Sequence, residues 1–152
     1  MISIALFEPE IPPNTGNIAR LCVGLDARLI IIGKPAFDLT EKAVKRAGLD
    51  YWIYLNLELY NDWESFLNES NIVHERIFLI TKFGTVCYTD TTLKENDCFV
   101  FGKETKGLPD QIRSAIPQER HLFIPIPGPV RSLNLSNAVS IVAYEAHRQI
   151  NY

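Results

Sequence analysis

Strand-length apolar runs alternate with helical runs almost from end to end of this chain. That alternation predicts an α/β fold with a mostly parallel sheet and helices on both faces. Two further observations agree. The 152 residues are 47% hydrophobic and 22% charged, which supplies one sizeable core and is too short for two ordinary domains. No linker, low-complexity tract or internal repeat interrupts the rhythm, so residues 1–152 are expected to form one domain.

The elements follow in order. Ile2–Glu8 is apolar and suits a strand. Ile11–Asn17 reads as a turn entering a helix, with Ile18, Leu21, Cys22 and Leu25 at helical spacing. Ala27–Gly33 is a continuous apolar run stopped by glycine, the pattern of a strand buried on both faces. Thr40–Ala47 reads as a short helix that Thr40 caps and Gly48 ends. Tyr51–Leu55 is strand-like, Trp63–Asn68 helical and Arg76–Thr81 a strand. Asp97–Gly102 is a further strand, Pro109–Ala115 a helix opened by proline, and Arg120–Ile126 another strand. The last helix runs from about Leu135 to Gln149, with Ala138, Val139, Val142, Ala143, Ala146 and Ile150 toward its inner face.

Several function classes fall away at this point. No apolar run approaches the roughly 20 residues that cross a bilayer, and the start of the chain lacks a basic segment of the signal-peptide kind, so a cytoplasmic protein is expected. Cys22, Cys87 and Cys98 are an odd number without a CxxC pair, which points to buried free thiols rather than disulfides or zinc. His74, His121 and His147 have no metal-ligand spacing, and no metal site is expected. A net charge of −3 argues against non-specific coating of nucleic acid while leaving room for a local basic site.

Ligands of such sheets bind beyond the carboxyl ends of the strands, so the loops there hold the information. Three stand out. The first is Asn14-Thr15-Gly16-Asn17-Ile18-Ala19-Arg20. Asn14 or Thr15 can cap the helix, and Arg20 either faces the loop mouth beside exposed amides, a natural phosphate site, or is simply solvated. The second is Phe101-Gly102-Lys103-Glu104-Thr105-Lys106-Gly107-Leu108-Pro109. It fails the nucleotide-triphosphate loop pattern twice, since Asp97 stands at the first glycine position and Glu104 follows the lysine where Ser or Thr belongs. What remains suits backbone contact with an uncharged or cationic small molecule, or a glycine-rich surface turn. The third, Ile124–Asn137, holds three prolines and a glycine after a strand and more polar residues than helix capping uses.

In this order, at the ends of predicted strands, the three loops resemble the three signature motifs of the SPOUT superfamily of RNA methyltransferases. The nearest branch is that of tRNA 2′-O-ribose methyltransferases, specifically the small wobble-nucleotide enzymes of the TrmL (YibK) type. The likeness spans the chain: EPEIPPNTGNIAR at the start, KRAGLDY in the middle, then FGKETKGLP and RSLNLSNAVSIVAYEAHRQ.

The resemblance implies what periodicity does not: a deep C-terminal trefoil knot, against the usual rule that chains stay unknotted, binding of S-adenosylmethionine in that knot, and a homodimer that completes the site near its interface. It assigns cofactor contact to Ile80, Gly102, Ile124 and Ser132. It gives Arg20, Glu104, Ser132 and Asn134 to the catalytic centre, with Tyr144 either a weaker candidate or dimer core. The implied reaction is methylation of the ribose 2′-oxygen of the wobble nucleotide, position 34, cytidine or uridine, of tRNA. An arginine stays protonated to about pH 12, so Arg20 either has a strongly depressed pKa as base or, the reading favoured here, orients the 2′-hydroxyl and a phosphate. Lys42, Lys45, Arg46, Lys82, Lys103, Lys106 and Arg131 are the cations open to RNA. Two alternatives stand beside this: the same chemistry on another RNA such as ribosomal RNA, and a non-catalytic RNA-binding protein that keeps the fold.

Overall fold

In the computed structural model, which describes residues 1–40 and 50–152, the alternation of side chains along strands buried on both sides sorts the core onto two sheet faces. Ile4 and Leu6 of β1 (Ser3–Phe7), Leu29 and Ile31 of β2 (Arg28–Ile32) and Phe99 and Phe101 of β6 (Cys98–Phe101) pack on one face. Their neighbours Ala5, Ile30, Ile32, Cys98 and Val100 pack on the other. Helices α1 (Pro12–Gly24) and α4 (Leu135–Asn151) cover the first face through Ile18, Ala19, Cys22, Val139, Val142, Ala143 and Ala146. On the second face lie α2 (Trp63–Glu69), with Phe66, and α3 (Asp110–Ala115), with Ile112. Each fully buried Ile or Phe of this kind contributes about 1.5–3 kcal/mol of hydrophobic stabilisation.

Among the described residues the sheet has seven strands in the order β3-β2-β1-β6-β4-β7-β5, every neighbouring pair parallel. Here β3 is Leu57–Tyr60, β4 Ile77–Ile80, β5 Val86–Cys87 and β7 His121–Phe123. The chain builds one half outward from β1, then crosses to the other half. The α/β class and mostly parallel sheet of the sequence reading are observed.

Several local expectations change. Tyr51–Leu55 is not a strand: Asp50–Tyr54 forms a 3-10 helix, held where the Tyr51 hydroxyl donates to the Gly16 carbonyl of α1 at 2.8 Å. The strand follows at Leu57–Tyr60, whose Glu58 pairs with Arg28 of the neighbouring strand at 3.3 Å. Helix α1 starts earlier than the turn expected over Ile11–Asn17, and neither Asn14 nor Thr15 caps it. Pro12 and Pro13 fill its first two positions and have no N–H to satisfy, while Asn14 and Thr15 donate their backbone N–H groups to Ile11. The strand expected over Arg120–Ile126 is confined to His121–Phe123, and β5 was not anticipated. Of the thiols, Cys22 and Cys98 are buried and Cys87 is half-buried. Residues 41–49 lie outside the described residues, and with them most of the Thr40–Ala47 helix and the cations Lys42, Lys45 and Arg46. No described helix is long and apolar enough to cross a membrane, and among the described residues no group of His, Cys, Asp or Glu could hold a metal ion.

Candidate active site

The carboxyl ends of β4, β6 and β7 open into a cavity of about 710 Å³. Its wall includes Ile80, Gly102, Glu104, Ile124, Ser132 and Asn134, so six of the seven site residues named from sequence converge there. Arg20 is the exception. It lies on an exposed face of α1 with its guanidinium 5.9 Å from the Tyr51 ring centre, outside the wall of the cavity. Of the two readings the sequence leaves open for Arg20, the exposed one holds within one subunit: six residues, about 1.7 helical turns, separate it from Asn14, which does line the cavity.

The loop after β6 is shaped by close backbone approach. The Gly107 N–H donates to the Lys103 carbonyl at 2.9 Å, and Gly107 takes a φ of +66°. This folds the segment back so tightly that a Cβ on Gly102 would lie 2.1 Å from the Gly107 carbonyl carbon. Only glycine fits at Gly102, and the result is a wall of bare backbone beside the aliphatic side chains of Ile80 and Ile124.

The tip of that loop is clasped by the start of α1. Glu104 accepts from the Glu10 N–H at 2.8 Å, the Ile11 N–H at 3.0 Å and the Asn14 side-chain amide at 3.3 Å. In return the Glu10 carboxylate accepts from the Thr105 hydroxyl at 2.7 Å and the Thr105 N–H at 3.4 Å. Lys103 pairs with Glu8 at 2.5 Å, which holds its ammonium well protonated and occupied inside the protein. With both oxygens engaged, Glu104 supplies negative charge to the amino end of α1, where the helix dipole favours it.

Asn14, only 5% exposed, then joins the third loop: its side-chain oxygen accepts from the Asn134 amide at 3.0 Å. The Asn134 oxygen caps α4 by accepting from the Ser136 N–H at 2.9 Å and the Ser136 hydroxyl at 2.8 Å. One chain of hydrogen bonds, Glu104–Asn14–Asn134–Ser136, thus ties the three loops together across the fold. Sequence reading treated Asn14 only as a cap. The available signal was its spacing, since Asn14 stands four residues before Ile18 on the buried stripe of α1, where a polar side chain needs a partner.

The cavity rim is basic. Lys82, Lys103, Lys106 and Arg131 line it, against the one carboxylate of Glu104 among the described residues.

The SpoU rRNA methylase family matches residues 1–144 of this chain. The chain belongs to that family. The tRNA (cytidine(34)-2′-O)-methyltransferase of Escherichia coli K12 is 45% identical over all 152 residues, which cover 96% of that relative. The enzyme of the same name from Methylovorus glucosotrophus is 41% identical, with the whole chain matched to 97% of it. A solved structure described as structural insights into the 2-OH methylation of C/U34 on tRNA superimposes with a TM-score of 0.88 at 40% identity, covering 98% of this chain and 90% of that one.

Proposed function

We propose that this chain is an S-adenosylmethionine-dependent methyltransferase of the 2′-hydroxyl of nucleotide 34, cytidine or uridine, in tRNA. The reading is supported above all by the convergence of three motif loops on one basic-rimmed cavity in a chain that matches tRNA (cytidine(34)-2′-O)-methyltransferases along its full length. The family description names ribosomal RNA, which keeps that substrate as the second reading. Residues 1–152 act as one domain in the cytoplasm.

The residues present fit the cofactor. Gly102 offers backbone that a Cβ would obstruct, and Ile80 and Ile124 offer the apolar flanks that suit an adenine ring. Ser132, exposed at the cavity, offers a hydroxyl to its polar end. When bound, S-adenosylmethionine supplies an electrophilic methyl on a sulfonium and a neutral leaving group. The protein's share of the work is alignment of the attacking oxygen. Glu104 and Asn134 serve through the clasp, holding the two loops at a fixed separation. Arg20 orients the 2′-hydroxyl and a neighbouring phosphate, as a permanently charged fork suits.

Because Arg20 lies outside the cavity of its own subunit, it reaches the reacting atoms from a second copy in a homodimer. The stiff Pro125–Pro129 segment and the α4 start at Leu135 belong to a C-terminal trefoil knot that walls the cofactor cavity. Labelled S-adenosylmethionine, total tRNA and nucleoside mapping by mass spectrometry test the proposal. A 2′-O-methyl mark at position 34 is expected. Transfer to ribosomal RNA alone would move the substrate, and absence of cofactor binding would remove the enzyme reading.

A further inference from the structure

At the mouth of the same cavity, Phe83 stands 59% exposed, directly after β4 and its following Thr81 and Lys82. It is not displayed on a loose loop. The Phe83 N–H donates to the Thr81 hydroxyl at 3.2 Å, and the Gly84 N–H donates to the Thr81 carbonyl at 3.0 Å. Thr81 and Thr85 donate their N–H groups to Leu122 and His121 of β7, each at 3.0 Å. The turn lies so close on β7 that a Cβ on Gly84 would fall 2.5 Å from the Leu122 carbonyl carbon. The turn that carries the ring is therefore fixed against the sheet, while much of the side chain faces solvent.

Two cations gather at that ring. The Arg113 guanidinium lies 4.5 Å from its centre and the Lys82 ammonium 5.2 Å. Arg113 is itself steadied by an ion pair with Asp110. Exposed Lys106 and Arg131 lie on the rim of the same cavity. An exposed apolar ring usually invites another protein, but lysine is depleted at such contacts, and four cations around one cavity mouth oppose it. A nucleic acid strand answers both features: a base offers a π face to the ring, and its phosphates meet the cations.

We propose that Phe83, with Lys82 and Arg113, is a stacking platform for an unpaired base of the RNA substrate at the mouth of the cofactor cavity. The proposal rests on the reading that RNA is the substrate. It adds which surface outside the cofactor contacts grips that RNA, and through which chemistry.

The test compares full-length wild type, Phe83→Ala and Phe83→Trp, using tRNA for methyl transfer and S-adenosylhomocysteine for calorimetric binding. For Phe83→Ala the KM for tRNA rises roughly tenfold, as loss of one base–aromatic stack implies. The kcat changes far less, and S-adenosylhomocysteine affinity is retained, which also reports a folded site. Phe83→Trp restores the KM, and its added emission over Trp52 and Trp63 is quenched on titration with an anticodon stem-loop. An unchanged KM in active Phe83→Ala overturns the platform. So does a shift of Phe83→Ala to a smaller species in sedimentation, which would give the ring to a contact between copies. Loss of S-adenosylhomocysteine binding would give it to the cofactor and overturn the platform equally. If wild type itself transfers methyl to no RNA, the RNA reading fails first, a result separable from failure of the variant alone.

Discussion

Asp97 stands just before β6 and Glu104 three residues after it, and both accept several hydrogen bonds, yet only Glu104 borders a cavity. Asp97 is fully buried. Its two oxygens take Arg76 Nε at 2.6 Å and Nη2 at 2.7 Å, and the Lys94 N–H adds a third bond at 2.7 Å. All of its partners belong to segments that close this end of the sheet. Glu104 is half-buried, and its donors come from the start of α1, ninety or more residues away. The two ends of one strand thus use the same chemical group differently. At the amino end a buried carboxylate neutralises a half-buried arginine and seals the core. At the carboxyl end it links two loops and leaves a space between them, as parallel sheets place their sites.

The contrast can be broken most severely at the sealed end. Asp97→Ala leaves the Arg76 guanidinium without its counter-charge, and urea unfolding should show a loss of about 3 kcal/mol. The folded fraction should still bind S-adenosylhomocysteine normally; a loss of cofactor affinity larger than the loss of stability would mean that the two ends of β6 are not separate in function.

Glu104→Ala is expected to reverse the pattern. It strands two backbone donors and the Asn14 amide, so stability falls by roughly 1–3 kcal/mol. Misplacement of the loop by about 1 Å should lower methyl-transfer kcat/KM on the order of 100-fold. Glu104→Gln, which keeps an acceptor oxygen, should fall between wild type and Glu104→Ala.

Gly102→Ala sharpens the comparison without touching any charge. The new Cβ meets the Gly107 backbone, and the loop must open. Calorimetry should show S-adenosylhomocysteine affinity reduced at least about tenfold, and the melting temperature should fall as well, because the clash reaches the backbone of the core residue Leu108. A cofactor affinity equal to wild type would move the cofactor away from this wall.

The smallest effect concerns the thiols. Cys98 follows Asp97 at the sealed end, and burial pushes its thiol up. Burial also pushes Cys22 up to about 12 from 9.0, so its folded form keeps the proton where the unfolded chain loses it. Stability from this source is intact below pH 9.0 and declines as pH rises toward about 12. Cys22→Ala should flatten that alkaline decline in thermal melts. A thiol reagent at neutral pH should label Cys87 first and reach Cys22 and Cys98 only on unfolding.

Much of this was legible from residue order. The strands of the centre, β1, β2, β4 and β6, announce themselves because both their faces are covered, so the run is apolar whatever its neighbours do. The edge was harder. Tyr51–Tyr54 has the aromatic and β-branched composition of a strand, yet a single long-range bond from Tyr51 to Gly16 goes with a 3-10 turn. Glu58 disguised the true edge strand, because its partner Arg28 lies on another strand.

The candidate site divides in the same way. Gly102, Glu104, Ser132 and Asn134 stood out as residues a plain turn does not need, and their shared cavity follows from where their strands end. For Arg20 the residues alone left two readings, at the loop mouth or solvated. Helical geometry places it six residues beyond Asn14, on an exposed surface outside the cavity of its own subunit.

The sequence by itself determined the α/β class, the central strands and the loops that carry chemistry, because local periodicity and composition are properties of neighbouring residues. Only the tertiary structure decided that Glu10 and Thr105 clasp, that Asn14 bridges Glu104 to Asn134 and that Arg113 reaches Phe83. Those partners lie thirty to one hundred and twenty residues apart, and short hydrogen bonds and ring contacts between them exist only once the sheet order has set the strands side by side.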